Sequence, residues 1–383
     1  MKIIEVSNTF PPETFIQRHI QSLVEHGIFV HLVARSYDYS GSASLALPSL
    51  NLPASIMPNF NHLSLPDKII STRWLTFRSI ASPEKALSNK VILGFFDRLC
   101  PDLIHFHNAG LAASMAWIPD MLGVPYTISL RGSDVQVFPL QSVKQKEIFI
   151  QTLENATSIH SVCNALGNLV KEWYGVCKTI KTIYTTLPIP ENLPEYSSSQ
   201  PKGMYHFLST GRMVWHKGFD QLIFALNRLQ KTGFMAQLIL AGDGPEMDHL
   251  LYLRKMMGLD SDIVFPGKLG YGDIQIHMRA AHAYIQSSIA EGLSNSLIEA
   301  VVNGVPVFAT SVGGTREIID DGVTGVLLPP FSPHLWPEKL ILVQDFHLME
   351  RLRTAAYERA KLLFSAERHA TEFASFYQEA LSG

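Results

Sequence analysis

Two glutamates eight residues apart, Glu291 and Glu299, lie in a segment whose residue types suit a hydroxyl-rich anionic ligand. Carboxylates accept hydrogen bonds from the hydroxyls of a sugar or a ribose. Ser294 is the predicted N-cap of the helix that contains Glu299, and the exposed N–H groups at such a helix start favour an anion. We expect Glu299 to be partly buried because its neighbours are apolar. A capped surface helix with two solvated acids would give the same pattern.

A glycine and two cations follow the predicted strand Tyr205–Thr210. Gly211 lets backbone N–H groups face a ligand at the turn into the next helix, and Arg212 and Lys217 flank that turn. Arginine binds phosphate oxygens in a bidentate way, whereas lysine acts as a point charge. Taken alone, this pattern is also that of an ordinary solvated loop.

Two further glycine turns follow predicted strands. Gly242–Glu246 indicates a structural turn with Pro245 at the first position of a helix. At Gly313–Gly314 the backbone can approach a ligand closely, and Thr315 is the predicted cap of the next helix. A ligand contact and a purely conformational role remain equal alternatives for this glycine pair.

The elements that position these motifs alternate between strands and helices along the whole chain, which predicts α/β domains with mostly parallel sheets. The segment Leu187–Gly203 contains four prolines and indicates a linker. The predicted organisation is an N-terminal Rossmann-like domain over 1–188, a linker over 189–203 and a C-terminal Rossmann-like domain over 204–365. Two doubly wound domains facing each other would bind a ligand in the cleft between them, at the carboxyl ends of the strands.

Composition excludes several classes of protein. The 383 residues carry a formal net charge of −3, which argues against a general nucleic-acid binder. Three scattered cysteines fit neither a disulfide scaffold nor a zinc site, so we expect a reducing, cytoplasmic location. The N-terminus shows no signal-peptide pattern, and no apolar run reaches the ~18 residues of a membrane span.

The motifs taken in order resemble the retaining glycosyltransferase family 4, whose members have the GT-B fold and use nucleotide-sugar donors. They run GRMVWHKG, AGDGPE, FPG, EGLSNSLIEA and GVPVFATSVGGTREIIDDGVTG, over residues 204–330. The N-terminal FPPETFIQRHI is similar to the opening of members that build bacterial exopolysaccharides. By this resemblance, the helix over 366–383 returns to pack on the N-terminal domain.

The resemblance implies roles for individual residues. Arg212 and Lys217 would neutralise the donor diphosphate, Glu291 would address the transferred sugar, and Glu299 would hold the ribose. No divalent metal and no cofactor besides the donor is expected, since no Asp-x-Asp motif lies near the site. The full set of implied donor contacts is Gly211, Arg212, Lys217, Lys268, Leu269, Glu291, Gly292, Leu293, Ser294, Asn295, Ser296 and Glu299.

The N-terminal half departs from the family pattern. Arg131 occupies the place of the usual histidine, and arginine cannot act as a general base near pH 7, but it can donate hydrogen bonds to sugar or phosphate. Arg131 therefore joins Glu291, Arg212 and Lys217 as a predicted catalytic residue. Possible sugar or acceptor contacts are His107, Asp134 and Glu13.

The reaction mechanism and the acceptor are left open by the sequence. Front-side transfer, in which the leaving phosphate deprotonates the acceptor, is favoured over double displacement because no N-terminal carboxylate stands out as a nucleophile. A non-catalytic sugar-nucleotide binding protein is the main alternative, ahead of an epimerase or phosphorylase and of a dinucleotide oxidoreductase. A lipid-linked glycan is one expected acceptor. The basic-aromatic stretch 71–79 would then touch the inner face of the membrane, or simply be an amphipathic helix on the core.

Overall fold

The chain divides into two compact units in the computed structural model, which describes residues 1–10, 13–37, 54–56, 83–196 and 203–382. Unit 1 comprises Met1–Val162, Gly167–Thr186 and Glu367–Gly383, and unit 2 comprises Cys163–Leu166 and Leu187–Ala366. The predicted membrane-contacting stretch 71–79 lies outside the described residues. Among the residues described, no helix combines the length and the apolar character needed to cross a membrane.

Unit 1 is built on a parallel sheet with the strand order β3-β2-β1-β4-β5-β6-β7. Its strands are β1 Lys2–Phe10, β2 Phe29–Tyr37, β3 Ala54–Ile56, β4 Leu103–Phe106, β5 Tyr126–Leu130, β6 Ser158–Ser161 and β7 Ile180–Thr182. Its helices are α1 Thr14–Glu25, α2 Pro83–Leu99, α3 Ala109–Met115, α4 Trp117–Leu122, α5 Ser133–Gln136, α6 Val143–Asn155, α7 Asn164–Tyr174 and α15 Ala366–Ser382, the first residues of α7 and α15 grouping with unit 2.

The core of unit 1 forms because apolar side chains on both faces of β1 are covered, as is usual for parallel sheets. Ile3 of β1 packs with Leu23 of α1 and with Phe373 and Phe376 of α15. Residues late in the chain therefore complete a core that begins at the third residue.

Unit 2 is built on a second parallel sheet, with the order β10-β9-β8-β11-β12-β13. Its strands are β8 Tyr205–Thr210, β9 Ala236–Ala241, β10 Ile263–Gly267, β11 Ala283–Gln286, β12 Val307–Thr310 and β13 Val326–Leu328. Its helices are α8 Phe219–Gln230, α9 Met247–Met256, α10 Tyr271–Ala280, α11 Asn295–Val302, α12 Thr315–Ile318, α13 Trp336–Leu340 and α14 Phe346–Phe364. In both sheets the order reverses beside the first strand, which is the Rossmann arrangement predicted from the sequence.

Two local predictions need correction. Helix α9 begins at Met247, so Pro245 belongs to the preceding turn, where Met247 N donates to Gly244 O at 3.1 Å. Thr315 is the first residue of α12 and caps nothing, since Gly314 is the N-cap. The described part of the predicted linker packs on unit 2, because the Tyr196 hydroxyl donates to His282 O at 2.7 Å.

Candidate active site

Three loops of unit 2 meet at one edge of its sheet. They follow β8, β11 and β12, which are neighbours in the sheet and run parallel, so their carboxyl ends lie side by side. The sequence places the cations 212 and 217 in the first loop, Glu291 in the second and the glycine pair 313–314 in the third. The fold therefore brings together motifs that are up to about a hundred residues apart.

The first two loops are held by direct backbone contact. Gly218 has φ +60°, and a Cβ built there would lie 2.3 Å from Ser287 O. The Ser287 hydroxyl donates to Lys217 O at 2.9 Å, and Ile289 N donates to His216 O at 2.7 Å. Glycine is required at 218 because any side chain would push the loops apart.

Lys217 and Glu291 form a largely buried ion pair. Lys217 Nζ lies 2.5 Å from Glu291 Oε2, and the two side chains are 19% and 14% exposed. The Ser288 hydroxyl donates to the same carboxylate oxygen at 3.1 Å. The pair presents a cation and a carboxylate in fixed positions, because both partners are restrained by further contacts.

The third loop rests on the backbone of Glu291. Gly313 has φ +50°, and a Cβ there would lie 1.9 Å from Glu291 O. Gly314 N donates to Gly292 O at 2.8 Å. The glycine pair thus has a conformational role in this structure, which is to place the Glu291 loop.

Helix α11 begins directly beside the ion pair. Ser294 is its N-cap, as predicted, and its hydroxyl accepts from Leu297 N at 3.3 Å. The Ser296 hydroxyl lies 3.2 Å from that of Ser294. Lys217, Ser288 and Ser296 line a small polar pocket next to this helix start. A cation, hydroxyls and a helix N-terminus together suit an anion.

The other predicted donor contacts differ in exposure. Arg212 is exposed, and its guanidinium has no side-chain hydrogen bond within the described part of the chain. Lys268 is exposed and Leu269 half-buried after β10, which lies two strands from β8. Glu299 is half-buried, as expected. The rest lie at the turn itself: Gly211 and Asn295 are half-buried, and Gly292 and Leu293 are buried.

Arg131 is held rigidly at the carboxyl end of β5 in unit 1. Its Nε donates to His107 O at 3.1 Å, and one terminal nitrogen lies 3.2 Å from His107 Nδ1. The guanidinium carbon lies 4.3 Å from the centre of the Phe15 ring, a cation–π contact. Burial lowers the pKa of Arg131 to about 10, although the carboxylates of Asp134, Glu5 and Glu13 oppose that shift. Arg131 therefore remains a cation at neutral pH.

The predicted sugar or acceptor contacts of unit 1 differ in exposure. His107 is 1% exposed, and its Nε2 lies 2.8 Å from Glu5 Oε2, inside the unit. Asp134 is 7% exposed and accepts from three backbone N–H groups, those of Ala109, Arg131 and Gly132. Both side chains are occupied by the protein, which makes them supports for Arg131. Glu13 is exposed at the start of α1.

A buried polar cluster in unit 1 was not found from the sequence. Glu5, His19, His105 and His107 place one ligand atom each within 4.8 Å of one another, and by type and distance they could hold a metal ion. The available signal was a glutamate inside the apolar strand segment KIIEV, since a buried charge requires partners. Its partners come from distant parts of the chain, so no local pattern announced them.

Residues 196–359 match the sequence profile of the glycosyl transferases group 1. The second unit is a group 1 glycosyltransferase domain. A Bacillus subtilis protein, TuaC, assigned as a teichuronic acid biosynthesis glycosyltransferase, is 24% identical over 78% of the chain and 76% of its own length. The N-acetyl-α-D-glucosaminyl L-malate synthase of Bacillus anthracis is 25% identical over 73% of the chain and 75% of its own length. The chain is accordingly a glycosyltransferase.

Solved structures share the fold of the whole glycosyltransferase chain. Alr3699/HepE of Anabaena, crystallised with UDP and glucose, superposes with a TM-score of 0.78 at 18% identity, covering 99% of each chain. A glycosyltransferase from Rickettsia africae gives a TM-score of 0.77 at 16% identity and covers 100% of this chain and 99% of its own. The GT-B prediction, with two Rossmann-like domains, is confirmed.

Proposed function

We propose that this glycosyltransferase moves a sugar from a nucleoside-diphosphate sugar to a glycan, lipid-linked or small-molecule acceptor, with retention of the anomeric configuration. The observation that carries the proposal is the Lys217–Glu291 pair beside the start of α11. The Anabaena structures with UDP and UDP-glucose support a nucleotide-sugar donor.

Charge development on the leaving diphosphate requires positive groups that are already in place. Lys217 is restrained by its ion pair, and the exposed guanidinium of Arg212 supplies a second cation at the same turn. The N-terminus of α11 adds backbone N–H groups. We propose that these groups neutralise the diphosphate without a divalent cation, so transfer should persist in excess EDTA.

Glu291 is proposed to accept hydrogen bonds from hydroxyls of the transferred sugar. Its carboxylate is already held by Lys217 and Ser288, so the sugar would meet a fixed acceptor. Glu299, half-buried one turn into α11, is the proposed ribose contact, and Lys268 and Leu269 are the proposed contacts of the base. Arg131 is proposed to donate to the sugar or phosphate, and the leaving phosphate to take the acceptor proton in a front-side transfer.

Two variants separate donor binding from transfer. Lys217→Met should weaken UDP binding about tenfold or more, because it removes a cation from the diphosphate site. Glu291→Gln leaves Lys217 without its counter-charge, so UDP binding should be unchanged or tighter while kcat falls about a hundredfold or more. Calorimetry with UDP and initial rates of sugar release measure the two effects.

Lys255→Met is the matched control, since Lys255 pairs with Asp260 on the surface of unit 2 and is 76% exposed. It should leave both quantities unchanged. The donor itself is found first, by the rise in melting temperature with UDP, GDP, ADP or dTDP sugars. Near-wild-type turnover in both site variants would refute the site, and an inverted anomeric configuration in the NMR spectrum of the product would refute retention.

A further inference from the structure

A series of closely spaced buried side chains leads from Arg131 into the centre of unit 1. His107 lies between the Arg131 guanidinium, at 3.2 Å, and Glu5 Oε2, at 2.8 Å. The other oxygen of Glu5 lies 3.2 Å from His19 Nε2, and it accepts from the Tyr377 hydroxyl at 2.9 Å. Glu5 is 0% exposed.

The direction of each bond on the arginine side follows from the donor inventory. A guanidinium only donates, so His107 Nδ1 must accept from Arg131. A neutral imidazole then carries its proton on Nε2, which faces Glu5 Oε2 at 2.8 Å. The two atoms approach as an ion pair without a well-aligned hydrogen bond, and within the described part of the chain neither has a hydrogen-bond partner.

Contacts of His369 and His19, on the other side of Glu5, determine which of their ring nitrogens carry a proton. The backbone carbonyl of Tyr184 only accepts, so His369 Nδ1, at 2.9 Å, must donate to it. His369 Nε2 then accepts from His19 Nδ1, also at 2.9 Å. His19 Nε2 lies 3.2 Å from Glu5 Oε1 and 3.4 Å from the Tyr377 hydroxyl.

The second branch of the cluster is a set of hydrogen bonds that joins His160, Ser129, His105 and Thr127. His160 donates to Ile183 O at 2.8 Å and accepts from the Ser129 hydroxyl at 2.7 Å. Ser129 accepts from His105 at 2.9 Å, and the other nitrogen of His105 lies 2.7 Å from the Thr127 hydroxyl. Both nitrogens of His105 are thus engaged, and a metal ion that took this ring as a ligand would break one of these bonds.

We propose that His107 and Glu5 are positioning residues that fix the orientation of the Arg131 guanidinium. This inference rests on the proposed function, because Arg131 is the group that would touch the donor. Phe15 supports one face of the guanidinium, the backbone carbonyl of His107 holds its Nε, and His107 Nδ1 fixes its terminal nitrogen. Glu5 fixes the tautomer of His107, as a carboxylate does for a metal-bound or catalytic histidine.

The first test reads the tautomers directly in the wild-type full-length chain labelled with ¹⁵N-histidine. Long-range ¹H–¹⁵N spectra at pH 7 should show His107 protonated on Nε2 and His369 on Nδ1. An Nδ1–H tautomer at His107 would overturn the inference. So would one equivalent of bound metal per chain in elemental analysis, with histidine signals that change on chelation. This measurement needs neither donor nor activity.

The second test uses two substitutions that each keep one half of His107. In His107→Asn the amide lies near the place of Nδ1 and can accept from Arg131, whereas in His107→Gln it lies near Nε2 and can donate to Glu5. A positioning role predicts that kcat falls about tenfold or more in the Gln variant and less in the Asn variant. Melting temperature should rank them the other way, because only the Asn variant leaves the buried Glu5 carboxylate without its partner.

His160→Gln is the control, since it alters the second branch of the cluster and should leave kcat unchanged. A Gln variant with wild-type kcat, or the same ranking of both variants in kcat and in melting temperature, would refute the positioning role. If the wild-type chain transfers no sugar from any donor, the proposed function fails, and the tautomer result still decides the geometry of the chain of bonds.

Discussion

We expect acid to unfold unit 1, because several of its buried histidines are neutral in the folded state. Burial depresses the pKa of His107 from 6.5 to about 4, and it lowers those of His105, His160 and His369 well below the ordinary value. In each case the unfolded chain binds the proton first as the pH falls. The stability contributed by these rings is therefore complete above pH 6.5 and is lost as the pH falls towards the folded-state pKa.

The size of the effect follows from the shift of His107. A shift of one pKa unit corresponds to 1.36 kcal/mol, so His107 alone should remove about 3 kcal/mol from unit 1 between pH 6.5 and pH 4. That is a large fraction of the 5–15 kcal/mol that typically stabilises a folded domain. The other three rings act in the same direction.

Urea titrations of the full chain at several pH values, read by pulse-labelled hydrogen exchange on a peptide containing β4, would measure the opening of unit 1. A peptide containing β12 reports unit 2 in the same sample. In His107→Gln the slope of stability against pH between 6.5 and 4 should fall by about one proton, or about 1.4 kcal/mol per pH unit. An unchanged slope in this variant would show that His107 does not enter the folded state as a buried neutral ring.

Two further predictions concern loop geometry. Gly313→Ala should weaken UDP binding about tenfold or more, because its Cβ would meet Glu291 O at 1.9 Å. The control Gly258→Ala, at φ +69° with open space around it, should cost about 1 kcal/mol of stability and leave binding unchanged. Calorimetry and thermal melts check both variants, and equal UDP binding in the two would contradict the reasoning. The Asp134 carboxylate accepts hydrogen bonds from three backbone N–H groups, and the amide in Asp134→Asn can accept fewer. This substitution should lower the free energy of unfolding of unit 1 by about 1.5–3 kcal/mol in urea titrations. An unchanged free energy of unfolding would mean that water replaces the lost hydrogen bonds.

Much of the unit 2 site could be predicted because its signals are local. Each motif follows a strand directly, and the carboxyl ends of adjacent parallel strands must meet at one edge. Ser294 as N-cap and the half-buried Glu299 follow from the same few residues. The pairing of Lys217 with Glu291 was not predicted, because two residues assigned to separate parts of a ligand gave no reason to place them in contact.

The unit 1 cluster could not be predicted from local pattern. Glu5 meets a hydroxyl 372 residues further along the chain, and His19 meets His369 at a separation of 350. Hydrophobic periodicity reports which face of a helix is buried, but not which distant element covers it. The sequence identifies Arg131 as unusual at its position. Its contact with His107 follows only from the pairing of β4 with β5 in the sheet.

The membership of α15 in unit 1 has a consequence for biosynthesis. When residues 1–186 have left the ribosome, the apolar side of α1 and β1 still lacks Phe373 and Phe376, and Glu5 still lacks its Tyr377 partner. Unit 2, which is complete once residue 366 has emerged, can close first. The nascent chain must therefore carry an unfinished first domain past the translation of the second, a period in which exposed strands are vulnerable to misassembly.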